Sequence, residues 1–500
     1  MKIFSVALSP HDHNTYDGVW HNQVERHSRL KHNIPHHFNS YPHQSDADKL
    51  NKDDGSSGVK FYDENFHPER HEMLAFTTTV GGLKQIPHHN IDPDFLEFKP
   101  KKLWDYMIKD NLYYIDHHQS HAAYAYLSSG YNQSDILAID GRGWFFNCIF
   151  IDRYGNIQDL SHKMNIGSVW NYVSQKLGFG YLGAGKLMGF AAYGSYDMTI
   201  HSHFDELFKG NWEMSDVSGI VAMCLERASH KDIAKTLQVA TEEVIFDAIL
   251  KCKTSDNICV AGGVAYNGYV NEDLTKIWDN VHIPPAVGDE GQSLGTYMHC
   301  DYTQNANIHI PSTYSGKEYH YVGEEKVDIK EVAQAIADGK IVGWFQGKSE
   351  SGNRSLGNRS ILADPRRTDI KAVINRRIKM REDFRPFAPS VLVEHYKEYF
   401  DTNQPSPYMS RICAVKSDKV PGITHVDGTA RIQTVSREDN PKYYELINEF
   451  YKITGIPMVL NTSFNCQEPI VETPKEALDT FNRTEMDMVI INDYIVRKVG

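Results

Sequence analysis

Apolar positions along the chain recur with two periods, and these predict most of its elements. The run Ile3-Phe4-Ser5-Val6-Ala7-Leu8 is short and almost continuously apolar, which reads as a buried strand over residues 1–9. Further strands are predicted at 113–116, 136–139 and 148–152. Between 231 and 251 the period lengthens. Ile233, Leu237, Ala240, Val244 and Ala248 then fall on one face of a long amphipathic helix. A strand at 257–261 turns through Gly262-Gly263 into a helix over 265–274. After an irregular, polar stretch at 301–326, read as a linker, the pattern restarts. A helix at 328–338, strands at 340–345 and 458–461, a helix from Thr473 and a last strand over 488–496 follow. Thr473, Pro474 and Glu476 mark that last helix start: an N-cap hydroxyl, a proline at the first position and a carboxylate closing a capping box. Residues 33–94 are polar and weakly periodic, and read as loops and short helices around a site. Strands alternating with helices through glycine turns imply an α/β fold with partly parallel sheets. The restart implies two domains, 1–315 and 326–500.

Composition narrows the class. The 500-residue chain is 41% hydrophobic and 23% charged, an ordinary globular balance with room for more than one core. No apolar run approaches the ~18 residues of a membrane span, and no secretory leader is expected from the first residues. The seven cysteines include no Cys-x-x-Cys pair, so a reducing cytoplasm is expected rather than a disulfide framework. A net charge of −13 offers no general attraction to nucleic acid or acidic membranes. Locally, Arg and Lys are nonetheless dense between Lys371 and Arg385.

His117 and His121 stand four apart. If a helix starts there, both imidazoles lie on one face and can grip one ion, while His118 points elsewhere. Two histidines at that spacing are more often ordinary helix residues, so a carboxylate is needed. Asp289 is the candidate, and Asp140 a fourth option. Two histidines and a carboxylate suit Fe(II), with Zn or Mn as alternatives. Ala138-Ile139-Asp140-Gly141-Arg142-Gly143 and Gly262-Gly263-Val264-Ala265 each follow a strand. Glycine lets backbone approach phosphate oxygens, and helix N-terminal amides favour negative charge. With His11-Asp12 after the first strand, the layout resembles the nucleotide-binding turns of actin, sugar kinases and heat-shock ATPases. Plain strand–turn–helix connections are the alternative. Asp12, Asp140, Gly141, Gly262, Gly263 and Asn267 are therefore nucleotide-binding candidates. The segment from Gly183 to Gly189 adds Lys186, without the spacing or the Ser/Thr of a Walker A loop.

Longer stretches match a family. They include His117-His118-Gln119-Ser120-His121-Ala122-Ala123, Gly185-Lys186-Leu187-Met188-Gly189 and Ala261-Gly262-Gly263-Val264-Ala265. Further matches are Gly343-Trp344-Phe345-Gln346-Gly347, the run from Arg354 to Arg366, and Phe384-Arg385-Pro386-Phe387-Ala388-Pro389. The run from Thr424 to Arg431 and Asn461-Thr462-Ser463-Phe464-Asn465 complete the set. In these the chain resembles the O-carbamoyltransferases of the nodulation-factor and antibiotic-biosynthesis type, from about residue 110 to 500. The family commonly has Phe-Gly-Pro-Arg-Ala-Leu-Gly where this chain has Ser351-Gly352-Asn353-Arg354-Ser355-Leu356-Gly357. The arginine is kept and the loop around it differs.

The resemblance implies an actin-like ATPase fold for the N-terminal domain, similar to the subunit that installs threonylcarbamoyl on tRNA, with His117, His121 and Asp289 as metal ligands. It implies a YrdC-like C-terminal domain that makes an acyl-adenylate. The implied substrates are carbamoyl phosphate and ATP, the latter with Mg2+. The implied acceptor is a hydroxyl on a small molecule or sugar. Arginines suit such a donor because two parallel N–H groups hold phosphate in fixed geometry. Residues 348–385 supply Lys348, Arg354, Arg359, Arg366, Lys379, Arg381 and Arg385. Arg354, Lys379 and Arg385 are the catalytic candidates, and Lys348, Arg359 and Arg381 the nucleotide-binding ones. A solvated basic surface is the plainer alternative, but interleaved Gly357, Pro365, Phe384, Pro386 and Phe387 argue for a shaped pocket. Asn461, Ser463 and Asn465 bind nucleotide or carbamoyl oxygens, or simply cap a strand end. His11, His13 and His118 are candidates for the base that deprotonates the acceptor. A hydroxymethylated pyrimidine in DNA is the alternative acceptor, and a homodimer stays open. A threonylcarbamoyl transferase for tRNA and a non-catalytic nucleotide binder rank below both.

Overall fold

A computed structural model describes residues 3–8, 14–16, 19, 21–23, 73–78, 112–141, 146–210, 214–308 and 310–498. His11, Asp12 and His13, Arg142 and Gly143, and most of 33–94 lie outside the described residues.

The first strand, Ile3–Leu8, lies at the centre of a five-stranded sheet. It pairs in parallel with Met73–Thr78 and antiparallel with Asn14–Tyr16, beyond which lies His21–Gln23. Ile3, Ser5 and Ala7, which share one face of the strand, are buried. The helix Gln292–Asn305 packs against it, and the Ser5 hydroxyl donates to the Ser293 carbonyl at 2.7 Å.

A second five-stranded sheet runs in the order Asn280–His282, Asn257–Ala261, Asp135–Ile139, Cys148–Ile151, Ile157–Asp159. Its three parallel strands come first and its antiparallel pairs follow. Every residue of Asp135–Ile139 is buried, which explains its continuous apolar run. The helices Ile166–Lys176, Met198–Lys209 and His230–Ile249 join this sheet in one core, to which Val169, Phe204 and Leu237 contribute. The last of these helices buries Ile233, Leu237, Ala240 and Val244 of the predicted face and leaves its fifth position, Ala248, half-buried.

The C-terminal part is built on a ten-stranded mixed sheet with its own core. Its middle strands are Val342–Phe345, Arg359–Ala363, Met458–Ser463 and Ala388–Leu392. The mixed α/β class expected from the pattern is present. Thr473 caps Pro474–Arg483 in the predicted capping box with Glu476.

Three expectations are corrected. The single last strand is a hairpin, Met488–Ile491 and Tyr494–Arg497, because Asn492 takes φ +52° and reverses the chain. The helix predicted over 265–274 is a 3-10 turn, Gly263–Tyr266, followed by a helix, Gly268–Leu274. Asn267 breaks the two apart by capping the second. Within 301–326, read as an irregular linker, the first residues are helical. The helix continues to Asn305, and the Ser315 carbonyl and the Gly316 N–H then bond to His21 and Ser349.

Candidate metal centre and the arginine loop beside it

The histidine helix, His117–Leu127, starts where Asp116 accepts the N–H groups of His118 and Gln119. That cap places His117 in the first turn and His121 one turn on, so both imidazoles share a face. Asp140 ends the strand Asp135–Ile139, and its two oxygens are divided. Oδ1 accepts the N–H of Gly141 at 2.7 Å and of Gly263 at 3.0 Å. Oδ2 lies 2.8 Å from His117 Nε2 and 3.4 Å from His121 Nε2. Asp289 opens a 3-10 turn, Asp289–Gly291, and brings Oδ1 to 3.3 Å and 3.4 Å from the same two nitrogens. Glycine is required at the crossing. Gly262 has φ +98°, and a Cβ there would lie 2.1 Å from the Ile139 carbonyl.

The four ligand atoms of His117, His121, Asp140 and Asp289 lie within 4.8 Å of one another. Ligands about 2.1 Å from a shared ion sit roughly 3–4.3 Å apart, depending on geometry; three of the four His–Asp separations, 3.3, 3.4 and 3.4 Å, fall in that range, and small side-chain adjustments would let the set hold one divalent ion. Burial opposes charge on His117, but Asp289 and Asp140 outweigh it and raise its pKa to about 10. Burial likewise opposes charge on Asp140, yet the two imidazoles hold its carboxyl well below the usual range. Burial and Asp140 oppose charge on Asp289, but the imidazoles bring its carboxyl to about 2. Two anionic carboxylates facing two buried imidazoles make a candidate cation site by charge as well as by distance. His118 follows a different course. Its ring, 5.3 Å from that of His117, is pushed down to about 3 by burial and then by His117.

The other nucleotide-turn candidates are close by. Gly141 and Gly263 donate to Asp140 as described, whereas Asn267 faces Gln238 in a reciprocal amide pair of 3.0 and 3.1 Å. Lys186 reaches across to Glu382 of the C-terminal part at 3.2 Å.

The basic stretch divides between structural and unsaturated groups. Arg359 is wholly buried. Its guanidinium donates to the carbonyls of Gln346, Asn358 and Gly347 and covers the Phe345 ring at 3.6 Å. Asn461 is equally internal, donating to the Ser355 carbonyl, Ser390 Oγ and Gln433 Oε1. Lys379 brings Ser463 and Asn465 together: its ammonium faces Ser463 Oγ at 3.0 Å, Asn465 Oδ1 at 2.6 Å and both backbone carbonyls. Lys348 is half-buried, and its carbonyl accepts from Asn358. Arg381 is held by Asn375 Oδ1 at 2.7 Å and lies over Phe387. Burial and then Arg385 bring it down to about 9. Arg385 is 3.6 Å from Glu382.

Arg354 differs. It lies 5.4 Å from the centre of the Tyr266 ring, and its Nε has no hydrogen bond. Burial lowers its pKa. It shares a cavity between the two parts with Arg431, Tyr266, Pro285, Tyr408 and Ser410. Burial and then Arg354 bring Arg431 down to about 9. Tyr266 donates its hydroxyl to the Glu290 carboxylate, next to Asp289. A continuous chain of contacts therefore joins the metal candidate to the arginine loop. Sequence reasoning missed Tyr266, Glu290, Arg431 and Glu350. Glu350 Oε1 accepts three backbone N–H groups, of Leu356, Asn358 and Arg359, and shapes the loop. Its only signal in the sequence is an acid inside a Gly/Ser/Asn loop.

Fold and donor set together define a mixed α/β protein with a candidate His/Asp cation site next to an arginine-lined cavity. The chain belongs to the carbamoyltransferase family: the model of the carbamoyltransferase N-terminus matches residues 97–298 and that of the C-terminus residues 333–498. It is an enzyme that transfers carbamoyl groups. Nodulation protein NolO of Bradyrhizobium diazoefficiens is 34% identical over 441 residues, 77% of this chain and 79% of that one. Nodulation protein U of Sinorhizobium fredii is 32% identical over 322 residues, 56% of this chain and 58% of its own. Among solved structures, HypF in its phosphate- and nucleotide-bound form is 23% identical over 35% of this chain and 26% of that one, with a TM-score of 0.26. Among the described residues no helix is long and apolar enough to cross a membrane.

Proposed function

We propose that the chain transfers the carbamoyl group of carbamoyl phosphate to a small-molecule or sugar hydroxyl, using ATP and passing through carbamoyl-adenylate. The observation that supports this most is the direct path from Asp289 through Glu290 and Tyr266 to Arg354. Two buried arginines that disfavour each other's charge favour an anion between them, and here that anion would lie beside the candidate cation site. In this reading residues 326–500 are the YrdC-like, adenylate-forming domain. Residues 1–315 are the actin-like domain, where Asp140, Gly141 and Gly263 line the nucleotide turn.

In the first step water cleaves carbamoyl phosphate to carbamate and phosphate. A carbamate oxygen then attacks the α-phosphorus of ATP, the bond to the bridging oxygen breaks, and pyrophosphate leaves. Arg354, Arg385 and Arg431 neutralise the phosphoryl charge that builds up. In this reading Lys379, held by Ser463 and Asn465 at a strand end, adds a further positive charge. In the second step the acceptor oxygen attacks the carbamoyl carbon and AMP leaves, while the hydroxyl proton passes to a base. His117, His121, Asp140 and Asp289 would hold a divalent ion such as Fe(II), which when bound polarises a carbonyl or phosphate oxygen. His118 stays neutral at physiological pH. A conjugate acid that weak suits a hydrogen-bond partner for substrate rather than a proton store.

The test is mass spectrometry of products from enzyme, ATP and carbamoyl phosphate with a panel of sugar and small alcohols, plus a hydroxymethylated oligonucleotide. Carbamoylated alcohol with AMP and pyrophosphate is expected. ADP as product, or transfer without ATP, would sink the adenylate route, and transfer to the oligonucleotide alone would reassign the acceptor.

A further inference from the structure

His21 is remote in sequence from both the Asp289 turn and the Arg354 loop, yet it touches each. Its Nε2 is 2.7 Å from the Glu290 carbonyl, and its Nδ1 is 3.0 Å from Ser351 Oγ, a partner 330 residues away. A carbonyl only accepts, so Nε2 carries the proton and donates. In the neutral ring Nδ1 then accepts from the Ser351 hydroxyl. Ser315 Oγ, 2.7 Å from Ser351 Oγ, donates in turn and completes one direction of proton order. The backbone holds the same arrangement: His21 N–H donates to the Ser315 carbonyl at 2.9 Å, and Ser351 N–H to the Thr313 carbonyl at 2.8 Å. Next to Ser351, a Cβ on Gly352 would lie 2.2 Å from the Pro285 carbonyl, so the arginine loop is pressed onto the segment that leads to Asp289. His21 is buried.

We infer that His21 is a positioning residue that locks the turn bearing Asp289 to the loop bearing Arg354. It touches neither the ligand atoms nor the arginine. It acts through the Glu290 carbonyl on one side and the Ser351 hydroxyl on the other. The inference rests on the reading of Asp289 as a metal ligand and Arg354 as a phosphate-binding group. The two ring nitrogens can be tested apart, because a glutamine amide nitrogen stands in for Nε2 and an asparagine amide for Nδ1.

The experiment uses the full chain. Metal-free protein is titrated with Zn(II) against a chromophoric chelator, and carbamoyl phosphate-dependent pyrophosphate release is measured for kcat and KM. His21→Ala is expected to weaken Zn(II) binding about tenfold, as loss of a group that orients a ligand does, and to raise KM for carbamoyl phosphate. His21→Gln should recover Zn(II) affinity but not KM, His21→Asn the reverse, and Ser351→Ala should behave like His21→Gln. Wild-type Zn(II) affinity and KM in a folded His21→Ala variant would overturn the inference. So would indistinguishable Gln and Asn variants, which also decide the matter if His21→Ala does not fold. If the unaltered enzyme releases no pyrophosphate, the adenylate reading fails while the Zn(II) titrations still decide on His21.

Discussion

At the scale of single residues, His121 carries the sharpest expectation. His121→Ala removes one of two imidazoles from the cluster and leaves the arginine loop untouched. Metal content after dialysis should fall to background and carbamoyl transfer should be lost, while pyrophosphate release continues within a few-fold. Equal loss of both partial reactions would refute the division of labour between the two parts. His282 gives a pH test away from that cluster. Burial lowers its pKa from 6.5 to about 4, and Ser128 Oγ lies 2.9 Å from Nε2. The folded chain refuses a proton that the unfolded chain accepts below about pH 6.5. Stability is therefore lost as pH falls from there towards 4, by at most roughly 3 kcal/mol. Urea unfolding of His282→Gln should show a shallower fall between pH 6.5 and 5 than the parent, and parallel curves would contradict the assignment. His117 and His121 were legible because their spacing is local. Asp140 stood out less, since its role depends on Gly263, 123 residues away, clamping one of its oxygens. Arg359 looked like a phosphate ligand because a sequence shows charge and not what surrounds it. Only the fold reveals the three carbonyls that occupy its guanidinium.

At the scale of elements, the close crossing of the helices His117–Leu127 and Gln292–Asn305 decides how the histidines meet Asp289. A Cβ on Gly295 would lie 2.0 Å from the Ser120 carbonyl. Alanine in a helix interior gains about 1 kcal/mol over glycine, but overpacking against backbone costs about 1–3 kcal/mol or more. Gly295→Ala should therefore destabilise, seen as a lower urea midpoint with weakened Zn(II) binding; a stabilised variant would show that the helices are not this close. Long periodic elements and the Thr473 cap were readable because their signals are local. The hairpin at 488–497 was not, since a two-residue turn at Asn492 interrupts an apolar run without a glycine or proline. The break at Asn267 did carry a local signal, the Asn267-Gly268 pair, but the apolar period that continues across it outweighed that signal.

At the scale of the molecule, the two parts meet through short-range contacts on several sides. Tyr269 donates to Asp427 at 2.7 Å, His425 Nε2 lies 2.9 Å from the Gly189 carbonyl, and Phe190 packs on Phe384. If an activated intermediate crosses between them, this seal keeps it from water. The double variant Tyr269→Phe/His425→Ala should raise the ratio of AMP released to carbamoylated product while each partial reaction survives. An unchanged ratio would argue against a sealed passage. Glu350 bears on how that passage is entered. With three amides already gathered on one carboxylate oxygen, the loop around Arg354 has its shape before any donor arrives. The entropy of ordering it falls on folding and not on association, so a donor taken up by this loop, as proposed, would meet a preformed surface and need no closing motion there.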